Sequence, residues 1–409
     1  MWRYKLQCFG CQRVFPEREC GFRCKTCGGL IEVKFDLTGK RKPAWNSRQL
    51  SVWKYRELLP IEKEASIVSL AEGGTGLHRC RRLGRELGLK KLYVKNEGEN
   101  PTGSFKDRGM TVAISKAGEL GMKKVLCAST GNTAASLAAY SARAGMECIV
   151  LMPKGKVAGG KMLQVIMHGA KLIQVKGDFD QALEVAMKLA DKRREFYLMN
   201  SINPFRLEGQ KTLAFEILDQ LDRKVPDVVM LPVGNGGNIS AAWKGFSEFQ
   251  QLEIVKDRPR MIGIQAEKAD PIARAVKSRK NKIRPVQNPQ TIATAIRIGS
   301  PVNWPKVLRA IRKSKGTAET VTDRQILEAQ KELATLEGIF VEPASAASIA
   351  GLKKLTEKGQ VDPSETIVCV TTGHGLKDPS VLERLPKSRT GYNLEITNGS
   401  RVEALERSL

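Results

Sequence analysis

From residue 91 onward, short apolar runs alternate with longer amphipathic ones, and this alternation restricts the possible folds more than any other feature of the chain. Lys91–Lys95, Val125–Ser129, Cys148–Met152, Lys171–Val175, Tyr197–Met199, Val228–Leu231, Met261–Ala266, Phe340–Val341 and Thr366–Val370 read as strands. Phe105–Leu120, Thr133–Ala144, Lys156–His168, Phe179–Arg194 and Gln210–Leu221 read as helices between them. Apolar strands joined through helices require parallel sheets covered on both faces, an α/β architecture. At 409 residues the chain has room for two or three domains.

Several function classes fall away on composition. No run of about 18 uncharged apolar residues exists, which excludes a spanning helix; the most apolar stretch, Ala134–Met152, is broken by Arg143 and Glu147. The N-terminus, MWRYKLQCFG, lacks the continuous apolar core of a secretion signal, so a cytoplasmic location is expected. The formal net charge is +25. The basic residues are dispersed, with local clusters at Arg79–Arg85, Lys277–Arg284 and Lys306–Lys315 and no low-complexity arm. A solvated basic surface, or attraction of an anionic substrate, accounts for this better than dedicated nucleic-acid recognition.

Five of the nine cysteines lie in the first 27 residues. Cys8-x-x-Cys11 and Cys24-x-x-Cys27 are two knuckles separated by twelve residues, with Cys20 between them. Each knuckle can present two thiolates to one side of a metal, and two complete a tetrahedral zinc site. The alternatives are a redox dithiol pair or disulfides. A reducing compartment disfavours disulfides. A zinc ribbon over residues 1–34 is therefore expected, its metal closed by four thiolates and structural rather than catalytic. Cys80, Cys127, Cys148 and Cys369 are scattered and read as buried small hydrophobes.

Three polar loops stand where strands end, which is where open α/β sheets bind ligands. In Asn100–Gly109, Lys106 follows a Gly-Ser turn at a helix start. The positive potential of the helix N-terminus favours the neutral amine, and such a lysine can form a Schiff base; a surface lysine paired with Asp107 is the plainer alternative. Ser129–Thr133 offers hydroxyls and an amide at a strand-to-helix turn, suited to an anion or to capping alone. Gly234-Asn-Gly-Gly-Asn238 supplies successive backbone amides around glycines, a nest for a small phosphate-bearing group. It matches neither a P-loop nor a dinucleotide fingerprint.

A Schiff-base lysine, an amide partner for an aromatic hydroxyl and a phosphate nest together describe a pyridoxal-phosphate site. The chain resembles the threonine synthases of fold-type-II pyridoxal-phosphate enzymes, especially the archaeal-type branch with an N-terminal cysteine-rich ribbon. The resemblance runs from Cys8 to about Asp378. It rests on Glu72–Gly76, Gly103–Gly109, Ser129–Thr133, Asn200–Arg206, Gly234–Asn238 and Thr371–Asp378, in that order.

That resemblance implies two open parallel-sheet α/β domains with the cofactor between them, in a catalytic region over 35–386. The smaller domain would be inserted near residues 110–210, and 387–409 would form a C-terminal tail. It implies that Lys106 bonds pyridoxal 5'-phosphate, that Phe105 packs beside it, and that Asn132 bonds the pyridine hydroxyl. Gly234, Asn235, Gly236, Gly237 and Asn238 would hold the cofactor phosphate, and Thr372 would face the pyridine nitrogen. Ser129, Thr130 and Thr133 would bind substrate, with Asn200, Ser201 and Arg206 forming its phosphate pocket. The implied reaction converts O-phospho-L-homoserine and water to L-threonine and phosphate by γ-elimination and β-replacement, in a homodimer. A cysteate synthase acting on phosphoserine and sulfite shares these features, and a threonine or serine dehydratase shares the lysine alone. His374, Lys377 and Asp378 match the pattern without an assigned role. Asn200–Arg206 also admits a structural reading, with Arg206 paired to Glu208.

Overall fold

The computed structural model describes residues 2–16, 22–40, 43–154, 159–176, 179–193 and 195–379. Cys20, the first residues of the helix expected from Lys156, and the tail 387–409 lie outside them.

The chain opens with three antiparallel strands, β1 (Tyr4–Cys8), β2 (Val14–Phe15) and β3 (Ile31–Phe35), ordered β2-β1-β3. So small a sheet cannot enclose a core of its own. It borrows one: Leu6, Ile31 and Val33 are buried among Met110, Ala113, Ile114 and Ala117. After a stretch of 3₁₀ turns come β4 (Leu77–Arg79), α1 (Arg81–Glu86), β5 (Lys91–Asn96) and α2 (Lys106–Glu119).

A four-stranded sheet follows. Its elements are β6 (Lys124–Ala128), α3 (Asn132–Arg143), β7 (Glu147–Pro153), α4 (Gly159–Met167), β8 (Lys171–Val175), α5 (Phe179–Lys192) and β9 (Phe196–Leu198). The sheet is fully parallel, ordered β8-β7-β6-β9. The chain steps outward from β6 to β8 and then returns to β9 on the other side of β6. The loops after β6 and β9 thus flank a topological reversal, where ligands bind in such sheets.

The chain then runs through α6 (Pro204–Gln210), α7 (Thr212–Gln220), β10 (Val228–Pro232), α8 (Gly237–Gln251), β11 (Arg260–Ala266), α9 (Pro271–Lys277), α10 (Trp304–Lys313), β12 (Thr317–Val321), α11 (Asp323–Glu337), α12 (Pro343–Glu357) and β13 (Thr366–Thr371). The larger sheet has the order β12-β11-β10-β13-β5-β4, with only the edge strand β4 antiparallel. Every residue of β10 is buried, as expected for a central strand covered on both faces. β13 returns to fill the gap between β10 and β5, so the loops after β5, β10 and β13 meet at one edge.

Three details differ from the sequence reading. Phe340–Val341 is no strand: Val341 makes a single bridge to His374, and Phe340 is exposed. The helix expected from Gln210 begins at Pro204 and breaks at Lys211 into α6 and α7. Asn203 caps α6 by accepting from the Phe205 amide, and Pro204 sits at its first turn, where the missing N–H has no cost. β4 and β12 lie toward the sheet edges and lack a solid apolar run to announce them.

The crossing of α2 and α6 sets up the site. A Cβ on Gly209 would lie 1.7 Å from the Arg108 carbonyl oxygen, and one on Gly109 would lie 2.7 Å from that of Arg206. Only glycine at both places lets the backbones touch. That contact brings the first turn of α2, with Lys106, up to the first turn of α6, with Arg206.

Candidate active site

Lys106 opens α2, half-buried, with its Nζ 4.0 Å from the centroid of the Phe105 ring. Burial and the neighbouring Arg206 guanidinium pull its ammonium down to about 7, against the opposing pull of the Glu342 carboxylate. A lysine at that value is part neutral at physiological pH and can act as a nucleophile and as a proton carrier. Asp107 does not pair with it. The buried Asp107 carboxylate accepts from the Thr102 amide and hydroxyl at 2.7 Å each and from the Ser136 hydroxyl at 2.6 Å. Desolvation raises it to about 6.

The loop after β13 lies directly against this turn. The Phe105 amide donates to the Thr372 carbonyl at 3.0 Å, and Ser104 bridges Gly373. Thr372 is buried and caps no helix. Its backbone N–H and that of Gly373 both donate to Ser345 Oγ, at 2.9 and 2.8 Å. The Ser345 hydroxyl hydrogen therefore turns to Thr372 Oγ1 at 2.9 Å or to the Gly373 carbonyl at 3.2 Å. The first arrangement leaves the Thr372 hydroxyl hydrogen free to donate elsewhere. His374 serves the fold, because its Nδ1 accepts from the Leu376 amide and caps a short 3₁₀ turn. Lys377 donates to the Thr102 carbonyl and to Gln164 Oε1, and Asp378 accepts from the Thr294 hydroxyl.

On the side of the smaller sheet, Asn132 opens α3 and is buried. Its Nδ2 donates to Glu342 Oε1 at 2.8 Å, while its Oδ1 has no partner. Ser129 Oγ accepts from the Gly131 amide, and Thr130 and Thr133 are half-exposed beside it. Asn200 is committed to the fold: its amide grips both the N–H and the carbonyl of Ala128, at 3.0 and 2.9 Å. It thereby locks the loop after β9 to the end of β6. Ser201 accepts at its carbonyl from Asn303 Nδ2.

Arg206 is 1% exposed, and the Glu208 pairing does not occur. Glu208 is bound by Lys211 and Lys244. Among the described residues, the one hydrogen bond of the Arg206 guanidinium runs from Nη1 to the Met199 carbonyl, at 2.9 Å; Nε is orphaned. Burial lowers its pKa to about 10. A buried guanidinium without a carboxylate is costly, and it fits a site completed by an anionic ligand.

The third loop leads into α8. Gly236 adopts φ +79°, and a Cβ there would lie 2.3 Å from Val307 Cγ2, so only glycine makes this turn. Gly234, Asn235 and Gly237 are half-buried or buried around it. Asn235 accepts at its carbonyl from the Asn303 amide. Both polar atoms of the buried Asn238 side chain lack partners, as does Gln210 Oε1, which faces Gly237. Backbone amides at a 15-residue helix N-terminus, ringed by unpaired amide side chains, fit a phosphate. Orphaned polar atoms on Asn132, Asn238, Ser104 and Arg206 around a near-neutral lysine fit a phosphorylated pyridine cofactor with an anionic substrate.

Sequence reasoning did not single out Glu342, Ser345, Lys161 or Gln210. Glu342-Pro343 at the start of α12 was the available signal, since Pro at the first turn marks a helix boundary.

The ribbon cysteines converge separately. The sulfurs of Cys8, Cys11, Cys24 and Cys27 lie within 4.8 Å of one another, and no disulfide joins them. Cys8–Cys27 and Cys11–Cys24 sulfurs stand 3.4 and 3.7 Å apart, close to the edge of about 3.8 Å expected when four thiolates surround zinc at about 2.3 Å. The scattered Cys80, Cys127, Cys148 and Cys369 are all buried.

Comparison with known proteins agrees with this geometry. Residues 68–373 match the family described as pyridoxal-phosphate dependent enzymes. Threonine synthase of Methanocaldococcus jannaschii is 59% identical over 382 residues, covering 92% of this chain and 94% of that protein. Threonine synthase of Methanosarcina acetivorans is 56% identical, covering 93% of each. Threonine synthase of Mycobacterium tuberculosis is 51% identical over 81% of this chain and 90% of its own length. Among solved structures, maize serine racemase superposes with a TM-score of 0.65 at 23% identity, over 76% of this chain and 90% of that one. The processed form of threonine deaminase isoform 2 from Solanum lycopersicum superposes at 0.64 with 24% identity, over 76% and 86%. These two likenesses show the shared fold. The chain belongs to the pyridoxal-phosphate dependent enzymes and, among them, to the threonine synthase family.

Proposed function

We propose that the chain converts O-phospho-L-homoserine and water to L-threonine and phosphate, with Lys106 carrying the cofactor and Arg206 holding the substrate phosphate. The observation that carries this reading is Arg206 itself: a fully buried guanidinium, close enough to Lys106 to depress its pKa, with no carboxylate partner. Bound pyridoxal phosphate supplies the electron sink that makes the substrate's α and β protons removable.

The chain's own residues do the rest. Lys106, held near neutrality, takes the α proton at Nζ and transfers it onward, and takes the β proton in turn. The amides of Gly234–Asn238 and the dipole of α8 bind the cofactor phosphate. Asn132 presents its amide to the ring hydroxyl. Thr372 offers the ring nitrogen a hydroxyl in place of a carboxylic acid, so that nitrogen gains a hydrogen bond without a proton. Arg206 grips the substrate phosphate through a fork of N–H donors and keeps it close after the γ bond breaks. Ser129, Thr130 and Thr133 receive the substrate carboxylate at the N-terminus of α3. Asn200 acts through Ala128, by setting where the Ser129 and Ser201 loops stand.

A structural zinc held by Cys8, Cys11, Cys24 and Cys27, a homodimer and a cytoplasmic location belong to the same reading. The four-thiolate set supports the first. Among the described residues no helix is long and apolar enough to cross a membrane.

The test is phosphate release and product analysis. Threonine formed from phosphohomoserine supports the assignment. Cysteate formed from phosphoserine plus sulfite moves it to a cysteate synthase, whose substrate is shorter by one methylene. Ammonia from unphosphorylated threonine or serine moves it to a dehydratase and leaves Arg206 without a role.

A further inference from the structure

Glu342 belongs to none of the loops assigned above, yet it touches several parts of the site. It precedes α12 on the larger sheet's side and is 1% exposed. Oε1 accepts from Asn132 Nδ2 at 2.8 Å, and Oε2 lies 3.1 Å from Lys161 Nζ. Lys161 is 2% exposed and stands on α4, on the smaller sheet's side. It also lies 3.8 Å from Asp378 and 3.4 Å from the Thr294 hydroxyl. A Cβ on Gly373 would come within 2.8 Å of Glu342 Oε1 and 3.3 Å of Asn132 Nδ2, so the glycine after Thr372 is what admits the carboxylate.

We propose that Glu342 and Lys161 are a positioning pair that joins the two halves of the cleft, orients the Asn132 amide toward the cofactor, and sets the charge beside Lys106. The inference rests on the reading of Lys106 and Asn132 as cofactor residues. Asn132 can turn its amide either way. A carboxylate accepts only, so it forces the nitrogen toward Glu342 and leaves one further N–H on that nitrogen for a ligand. The ring hydroxyl needs such a donor when ionised. Lys161 offsets the Glu342 charge, which otherwise would stand uncompensated in a buried site. The pair thus fixes geometry through Asn132, and its carboxylate is the member that acts on Lys106. Other charges face the same space: Arg206 from α6, Lys377 and Asp378 from the loop after β13, and Asp107 from α2. Arg206 opposes the Glu342 influence on Lys106, and Glu342 and Asp107 act on Lys377 as they would on any nearby cation.

The test separates the two effects. E342Q keeps an acceptor for Asn132 and removes the charge. E342A removes both. K161M removes the compensating cation at similar volume. The readouts are the pH profile of Lys106 reactivity toward an amine reagent in apoenzyme, mapped by peptide analysis, and pyridoxal-phosphate affinity with its visible absorption band. Removing a nearby negative charge lowers a lysine pKa, so E342Q shifts the Lys106 midpoint down by about one pH unit. K161M takes the close cation from Glu342 and loosens its hold on Asn132, which is read as a loss of cofactor affinity. The E342Q/K161M double variant keeps the E342Q midpoint and loses no more cofactor affinity than the worse single variant, which two independent structural residues would not do. E342A adds a cofactor affinity loss of about tenfold, the worth of one hydrogen bond to a charged group. If E342A does not fold, the two near-isosteric variants decide the matter alone. An E342Q midpoint indistinguishable from wild type, or a K161M cofactor affinity equal to wild type, overturns the proposal. The K106A variant is the control: cofactor still fixed to the chain by borohydride reduction would overturn the underlying cofactor reading, and this inference with it. Loss of borohydride fixation in K106A with an unshifted E342Q midpoint refutes the positioning pair alone.

Discussion

Replacing Arg206 by methionine gives the sharpest test, because activity and stability should move in opposite directions. The guanidinium is held at about 10 by burial, against an ordinary 12.5. That gap corresponds to a ceiling of about 3 kcal/mol. The sign follows from the charge. A cation whose folded pKa is depressed destabilises the fold at all pH values below that pKa, so the cost is present in full at neutrality. Methionine removes the cost but leaves the Met199 carbonyl without its 2.9 Å donor, which takes back about 1–3 kcal/mol. The ligand-free variant should therefore lie between neutral and about 2 kcal/mol more stable than wild type. A structural buried ion pair would behave oppositely, with a loss of about 3–5 kcal/mol on truncation. Function should collapse, since two charge-assisted hydrogen bonds at about 1.5–3 kcal/mol each are worth at least about a hundredfold in kcat/KM. Thermal melting with inorganic phosphate reads both effects. In the holoenzyme, where cofactor occupies the Gly234–Asn238 nest, phosphate at about 100 times its Kd should stabilise wild type by about 2.7 kcal/mol and leave the variant unmoved. A variant that loses several kcal/mol while keeping its phosphate response and its KM would refute the argument.

Lys106→Ala should abolish borohydride fixation of the cofactor and phosphate release while leaving the apoenzyme melt close to wild type, read by mass spectrometry, phosphate assay and calorimetry. In wild-type apoenzyme, Lys106 reactivity should be half-maximal at about pH 7, where burial and Arg206 hold its pKa, and fall about tenfold per unit below it; a midpoint near the ordinary lysine value would contradict the burial argument. Gly209→Ala should cost about 2–4 kcal/mol in denaturant unfolding, because its Cβ meets the Arg108 carbonyl at 1.7 Å and the α2–α6 crossing must open. Cys11→Ser should reduce bound zinc from one equivalent, measured by metal analysis, and expose the β1–β3 sheet to protease, with a smaller effect on kcat.

How much of this was legible in the sequence depends on where the information resides. Strands buried on both faces announce themselves as apolar runs, so β6, β7, β10 and β13 are placed within a residue or two. Thr317–Val321 has Glu319 and two threonines, because it lies at a sheet edge and Glu319 gathers Lys277 and Lys358 there. Its membership in the sheet is a tertiary fact. Phe340–Val341 has strand composition, yet α12 begins two residues later and leaves no length for a strand. The start of α6 was available locally, in Asn203-Pro204. The three polar loops were legible because turn conformation and hydrogen-bonding capacity are written in residue type. Glu342 and Lys161 were not, because their significance lies in an approach between residues 132, 161, 342 and 373 that no local pattern encodes.

Two buried groups of charges show the same distinction in energetic form. Arg108 on α2 is fully enclosed, with Glu97 and Glu216 on its guanidinium and Lys95 closing the set against Glu216. Two cations face two carboxylates, and Thr75 and Thr212 take further donors. The neighbouring carboxylates raise the Arg108 pKa well above its ordinary value despite its burial. Arg206 is buried as deeply across the same helix crossing, and its pKa moves the other way. Burial alone therefore does not distinguish a framework charge from a working one. Completion does: the Arg108 set is closed by carboxylates of the protein, whereas the Arg206 guanidinium has none, which is why we assign it an anionic ligand. The unpaired atoms on Asn132, Asn238, Gln210 and Ser104 lie on the Arg206 side of this divide. A stability cost concentrated in one place, beside a lysine tuned to neutrality, is the physical signature by which this cleft separates itself from the rest of the core.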